Sequence, residues 1–226
     1  MPVVAFPSFA ERRARGMPDF DAGFRREFER LLRWRRDVRR FRTDPLPAGC
    51  LDRLLDLACL APSVGNAQPW RFVTVDEPER RRAVTAVFER CNAEALAAQP
   101  DERRALYARL KLAGLREAPV HLAVFCDGGT AQGNGLGRAT MPATLEWSAV
   151  LAVHTLWLAA RAEGVALGWV SILDPDEVAR LLDVPADWRL VAYLCLGYPT
   201  EDSDRPELER VGWQARTAAS RVVLHR

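Results

Sequence analysis

Lysine is all but missing. Of 32 basic residues only Lys111 is a lysine, and the others are arginine. Positive charge is therefore carried by planar guanidinium forks, which meet phosphate or carboxylate oxygens two at a time. Histidine is scarce too: His121, His154 and His225 make no spaced set with each other or with cysteine, which excludes the usual pattern of a zinc site. The five cysteines (Cys50, Cys59, Cys91, Cys126, Cys195) are odd in number, far apart and without a C-x-x-C pair. Four fall in apolar segments, where a thiol acts as a small hydrophobe, so the reading is buried structural thiols in a reducing cytoplasm. Long hydrophobic runs are also lacking. The longest uncharged, mainly apolar run, residues 147–160, has 14 residues, against the ~20 that a bilayer span needs. The first residues place no long apolar stretch behind a basic end and do not read as a signal peptide. A cytoplasmic protein with no membrane partner is expected.

What is present suffices for a folded domain. Hydrophobic residues make up 49% of 226 positions, and the formal net charge is only +2, so a sizeable core can be buried. Residues 1–19 read as an irregular arm and 20–226 as one domain. Phe24, Phe28, Leu31 and Leu32 recur at helical spacing. Leu51, Leu54, Leu55 and Ala58 restart that period after "TDPLPAG". "WRFVTV", "PVHLAVFC", "ALGWVSI" and "LVAYLCLGYP" read as strands. Helices are expected around 83–91, over about 101–117, over 146–163, and in "DPDEVARLL", where Asp174 suits the cap and Pro175 the first turn. The second strand is continuously apolar, as a strand buried on both faces would be. The helix 146–163 is apolar nearly all round, which predicts neighbours on every side. Strands alternating with helices give an α/β or α+β domain.

Three stretches could carry chemistry. "RWRRDVRRF" (33–41) packs five arginines around one acid, Asp37; converging guanidinium groups would hold a phosphate dianion. A solvated basic face and a nucleic-acid contact are the other readings of such a run. Against the latter, Phe24, Phe28 and Trp34 lie on or near the apolar face instead of interleaving with the arginines, so no nucleic-acid partner is expected. "APSVGNAQPW" (61–70) joins a helix to a strand with Ser63, Asn66 and Gln68, more hydrogen-bonding groups than a plain turn needs. The glycine loop 127–142 contains "GNGLG", but Arg138 stands where the third glycine of a dinucleotide fingerprint belongs. It reads as a mobile surface loop or as a lid over a site. Ser171 ends a strand, with Gly168 beside it as a place where a ligand could approach the backbone.

In order along the chain, "RRDVRRF", "APSVGNAQPW", "ATMPATLEWSAVLAVHTLWLAARAEG", "GWVSILDP" and "LGYP" resemble the flavin-binding nitroreductase superfamily over about residues 28–216. The Asp of "RRDVR" together with the Ser of "GWVSILDP" is most similar to the branch that breaks down reduced FMN to the lower ligand of cobalamin. The resemblance implies an α+β, nitroreductase-like fold, with a central mixed sheet flanked by helices, in a two-fold homodimer with flavin at the interface. It implies FMN contacts from Arg35, Arg36, Asp37, Val38, Arg39, Pro62, Ser63, Asn66, Gln68, Gly168 and Ser171. From the tail, Arg216 is favoured over Arg205 and Arg210. Asp37 and Ser171 become the catalytic pair: Asp37 for proton transfer, Ser171 for orienting the flavin. Reduced FMN (FMNH2) would be consumed as a substrate with O2 as co-substrate, supplied by a flavin reductase. Residues 91–112 would form a lid. A conventional NAD(P)H-dependent FMN nitroreductase or dehalogenase shares most of these residues and remains the alternative.

Overall fold

The computed structural model describes residue 18, residues 20–217 and residues 221–226. The irregular arm expected over 1–19 lies outside the described residues, Pro18 apart. Four strands make one sheet: β1 (Trp70–Thr74), β2 (Val120–Asp127), β3 (Ala166–Val170) and β4 (Trp188–Gly197), in the order β1-β2-β4-β3. Every ladder is antiparallel. This differs from the mixed sheet expected; among the described residues parallel pairing enters only at the bridge between Asp37 and Leu167. A continuous apolar run reports two covered faces and says nothing of strand direction.

The two faces are indeed covered. Along β2 and β4, Ala123, Phe125, Tyr193 and Cys195 face one core, together with Val84, Val87 and Val178. Leu122, Val124, Leu194 and Leu196 alternate to the other, against Leu54, Leu156 and Ala160. The first core is closed by α3 (Pro78–Ala97) and α6 (Pro175–Leu181), the second by α2 (Cys50–Ala58) and α5 (Thr144–Ala162). Asp174 caps α6 as expected, its Oδ1 accepting from Glu177 N at 2.9 Å. Cys50, Cys126 and Cys195 are buried, Cys91 is half-buried and Cys59 is exposed; all five are free thiols.

Three helices depart from expectation. α1 (Ala22–Trp34) is capped by Asp21, which accepts from Phe24 N at 2.8 Å, yet it buries none of its residues. Its Phe20–Phe24–Phe28 ladder stacks in the open at 4.7 and 6.1 Å. The helix expected over 101–117 is only α4, Asp101–Tyr107. Beyond it the chain is irregular, and Gly114 lies so close to the Phe41 ring that a Cβ there would clash. α5 is not enclosed on every side: Trp147, Val150 and Leu151 are 53%, 38% and 43% exposed, one turn apart on one face. Among the described residues no helix is long and apolar enough to cross a membrane.

Candidate flavin site

The segment after α1 is laid against β3 as if it were a further strand. Val38 N donates to Leu167 O at 3.1 Å, and Trp169 N donates to Asp37 Oδ1 at 2.8 Å. Phe41 anchors its far end at 3% exposure. The approach is close enough that a Cβ on Gly168 would collide with the Val38 carbonyl oxygen. On this side the room expected for a flavin beside Gly168 is filled by the chain itself, and the glycine serves the arginine segment. Trp157 of α5 braces the same segment, donating from Nε1 to Arg36 O at 3.1 Å, with the Arg35 guanidinium 4.7 Å above its ring. Nothing in residues 33–41 pointed to Trp157, because it arrives from 121 positions away.

The arginines divide into two kinds. Arg39 is committed: its Nε and Nη2 reach Asp37 Oδ2 at 3.0 and 2.8 Å, and its Nη1 reaches Lys111 O at 3.3 Å. Arg40 is also paired, with Glu207 of α7 (Glu207–Arg210). Arg35 and Arg36 form no ion pair among the described residues. Arg36 donates to backbone carbonyls, including Asp204 O at 3.0 Å and Arg35 O at 2.9 Å. Burial lowers the pKa of both, and the nearby charge of Arg216 lowers both further. Asp37 offsets part of this at Arg35, and Asp204 and Glu209 at Arg36, but none of them is ion-paired to either arginine, and the converging guanidinium groups suit a dianion such as a flavin phosphate. Arg216 lies near enough for its charge to act on both, while Arg205 pairs with Glu209 at 3.2 Å and Arg210 with Glu201 at 3.5 Å.

Asp37 sits at the inner edge of this charge. Burial raises its pKa, and the opposing pull of Arg39 and of the Trp169 N–H does not cancel that rise. A carboxylate so placed takes up a proton more readily than a solvated one. Ser171 lies one residue past β3, two positions from the residue that binds Asp37, and its side chain is exposed. Asp37 and Ser171 are therefore served by one strand end.

The 62–68 turn is built differently. Ser63 Oγ accepts from Gln68 N at 3.1 Å, Gln68 Nε2 donates to Asn66 Oδ1 at 3.0 Å, and Val64 N donates to Ser148 Oγ of α5 at 3.0 Å. Asn66 and Gln68 have φ of 54° and 45°, a left-handed backbone that side chains other than glycine adopt at a cost. Pro62, Asn66 and Gln68 are exposed and Ser63 is half-buried. The glycine loop folds onto this turn: Gln132 Nε2 donates to Asn66 O at 2.8 Å, and a Cβ on Gly65 would stand 2.9 Å from Leu136 O. The loop is thus a cover for the turn and not a free surface loop.

The two halves do not meet within one chain. Trp157 touches the arginine segment and Ser148 the turn, nine residues apart along α5, about 13 Å at 1.5 Å per residue. The enclosed space at the arginine segment is only about 30 Å³, room for a water and not for a flavin ring.

The Nitroreductase family matches residues 32–198. The 5,6-dimethylbenzimidazole synthase of Rhodospirillum rubrum is 61% identical over 199 residues, covering 88% of this chain and 94% of that protein. The enzyme of the same name from Rhodobacter capsulatus is 51% identical over 196 residues, 87% and 95% of the two chains. Among solved structures, oxidised iodotyrosine deiodinase bound to FMN and 3-iodo-L-tyrosine superposes with a TM-score of 0.69 at 27% identity, covering 88% of this chain and 97% of that one. The chain belongs to the nitroreductase family.

Proposed function

We propose that this chain is a 5,6-dimethylbenzimidazole synthase, using O2 to fragment reduced FMN into 5,6-dimethylbenzimidazole, erythrose 4-phosphate and the remaining four-carbon pyrimidine part of the flavin ring. Similarity to the Rhodospirillum rubrum enzyme supports the activity. One structural observation carries the reading: a carboxylate, Asp37, is held inside an arginine cluster by the Trp169 N–H and Arg39, with its pKa raised. A flavin that only shuttles hydride needs cations near its phosphate. An acid–base group beside them is the addition that bond-breaking chemistry on the ribityl chain requires. Arg35, Arg36 and Arg216 hold the phosphate, with the Val38 backbone aligning the segment and Arg39 fixing Asp37. Asp37 moves protons at the ribityl end, and Ser171 orients the ring by a hydrogen bond. FMNH2, when bound, would supply the carbon skeleton of the product and the electrons that reduce O2.

The site is completed by a second copy. The exposed apolar face of α5 and the open aromatic ladder of α1 are what a two-fold partner would cover. Pro62, Ser63, Asn66 and Gln68 of one copy then face the arginine cluster of the other, with the flavin between them. FMNH2 comes from a separate flavin reductase in the cytoplasm.

The test is a single turnover in air with stoichiometric FMNH2. The yellow band of oxidised FMN should return only in part, with the missing flavin recovered as benzimidazole. Full recovery of FMN, with steady NADPH-driven reduction of a nitroaromatic, would favour the conventional nitroreductase.

A further inference from the structure

Trp213, in the tail, touches the expected lid at its short helix, α4. Its ring stands edge-on to Tyr107, with centroids 5.9 Å apart and planes at 66°. The Arg103 guanidinium lies 5.4 Å from the same ring. Both partners belong to α4. Tyr107 is the one buried residue of that helix, and its hydroxyl donates to Asn92 Oδ1 of α3 at 2.9 Å. A seven-residue helix does not hold together on its own, so the order of α4 depends on what Tyr107 touches.

The other side of the tail is fastened to the arginine segment. Arg36 Nε donates to Asp204 O at 3.0 Å, Thr200 N donates to Arg40 O at 3.2 Å, and Arg40 pairs with Glu207. Trp213 is held to α7 by its N–H to Leu208 O, at 2.8 Å. Three residues further on, Arg216 brings its charge against Arg35 and Arg36. These like charges repel, offset in part by Asp37 at Arg35 and by Asp204 and Glu209 at Arg36. A phosphate dianion reverses the sign and draws Arg216 in, and the three intervening links allow at most about 10 Å of slack. A ligand shifts an equilibrium only as far as it prefers one state, and a phosphate meets Arg216 only when the tail is docked.

We propose that Trp213 is a positioning residue that couples phosphate binding to the ordering of α4 and the stretch that follows it. The site would then close over a phosphate-bearing flavin and stay open over one without phosphate. The coupling rests on the reading of Arg35, Arg36 and Arg216 as the phosphate grip. Linkage makes it reciprocal: an ordered lid raises the affinity for FMN.

Hydrogen exchange on the full-length protein, free and saturated with FMN or riboflavin, tests the coupling. Flavin fluorescence supplies the affinities, and Trp213→Leu and Trp213→Phe are compared with wild type. In wild type FMN slows exchange across 101–113 and riboflavin does not. Trp213→Leu binds FMN about 5-fold or more weakly, binds riboflavin as before, and loses the FMN-dependent protection; Trp213→Phe restores it. Equal protection of the wild type by riboflavin overturns the coupling. If FMN and riboflavin bind the wild type equally well, the phosphate grip fails and the coupling with it. FMN-selective binding with protection that persists in Trp213→Leu removes the coupling alone.

Discussion

Arg35 and Arg36 are neighbours in sequence, half-buried and mutually repelling, and burial lowers the pKa of each. Such a pair persists where an anion compensates it. Arg36→Ala should weaken FMN binding by about 1.5–3 kcal/mol, the scale of a charge-assisted hydrogen bond, and leave riboflavin nearly unaffected. Isothermal titration of both ligands checks this; equal losses would remove Arg36 from the phosphate. At this scale the sequence displayed which residues cluster but not how they are spent. Arg39 looks like a third phosphate ligand in "RRDVRRF", yet it is consumed by Asp37 and Lys111 O. Gly168 looks like space for a ligand and is space for Val38 O. The Arg39–Asp37 pair spans two positions and was within reach of the sequence, but the Lys111 carbonyl and the approach of Val38 to Gly168 come from far along the chain, and local spacing carries no record of them.

Among the elements, α5 ties the site together and also leaves it unfinished. Its inner face packs on the sheet through Val153, Leu156 and Ala160, while Trp147, Val150 and Leu151 remain open. The sequence showed an apolar helix needing neighbours all round. Only part of that demand is met within one chain, and the remainder is the argument for a second copy. Leu151→Asp should leave the monomer fold intact, since the residue is 43% exposed, but place an unpaired charge in the interface, costing several kcal/mol there. On the proposed shared site, light scattering should report a monomer and FMN affinity should collapse with it. An unchanged mass with unchanged FMN binding would contradict the shared site. The strands were legible because β2 and β4 are apolar on both faces. The shortness of α4 was not, because the irregular stretch after Tyr107 is met by groups from far away in sequence, Arg39 at Lys111 O and Phe41 at Gly114.

Across the whole molecule, one buried polar pair links the strands at the centre of the sheet. His121 on β2 is 1% exposed, and its Nδ1 lies 3.0 Å from the Tyr193 hydroxyl on β4. Its Nε2 has no hydrogen-bond partner among the described residues. Burial, with help from the charge of Arg81, lowers its pKa from 6.5 to about 4. The unfolded chain therefore binds a proton that the folded one refuses, and stability present above pH 6.5 is lost as the pH falls towards about 4. The loss amounts to roughly 3 kcal/mol over that window. Asp37 works in the other direction, since its raised pKa makes protonation favour the folded state at low pH. The melting temperature should fall between pH 7 and pH 5, and fall less in His121→Asn. Equal slopes for the two proteins would clear His121 of that role.

The central claim is that Asp37 turns a shared flavin-binding frame towards destroying the flavin. It is met most directly by mass spectrometry of aerobic reactions with FMNH2, wild type beside Asp37→Asn. Asparagine keeps an acceptor for the Trp169 N–H but cannot take up a proton as a carboxylate does. Wild type should yield 5,6-dimethylbenzimidazole matching the FMN lost, and Asp37→Asn should bind FMN and return it intact. A variant with wild-type product yield, or a wild type that returns all its FMN, would contradict the account.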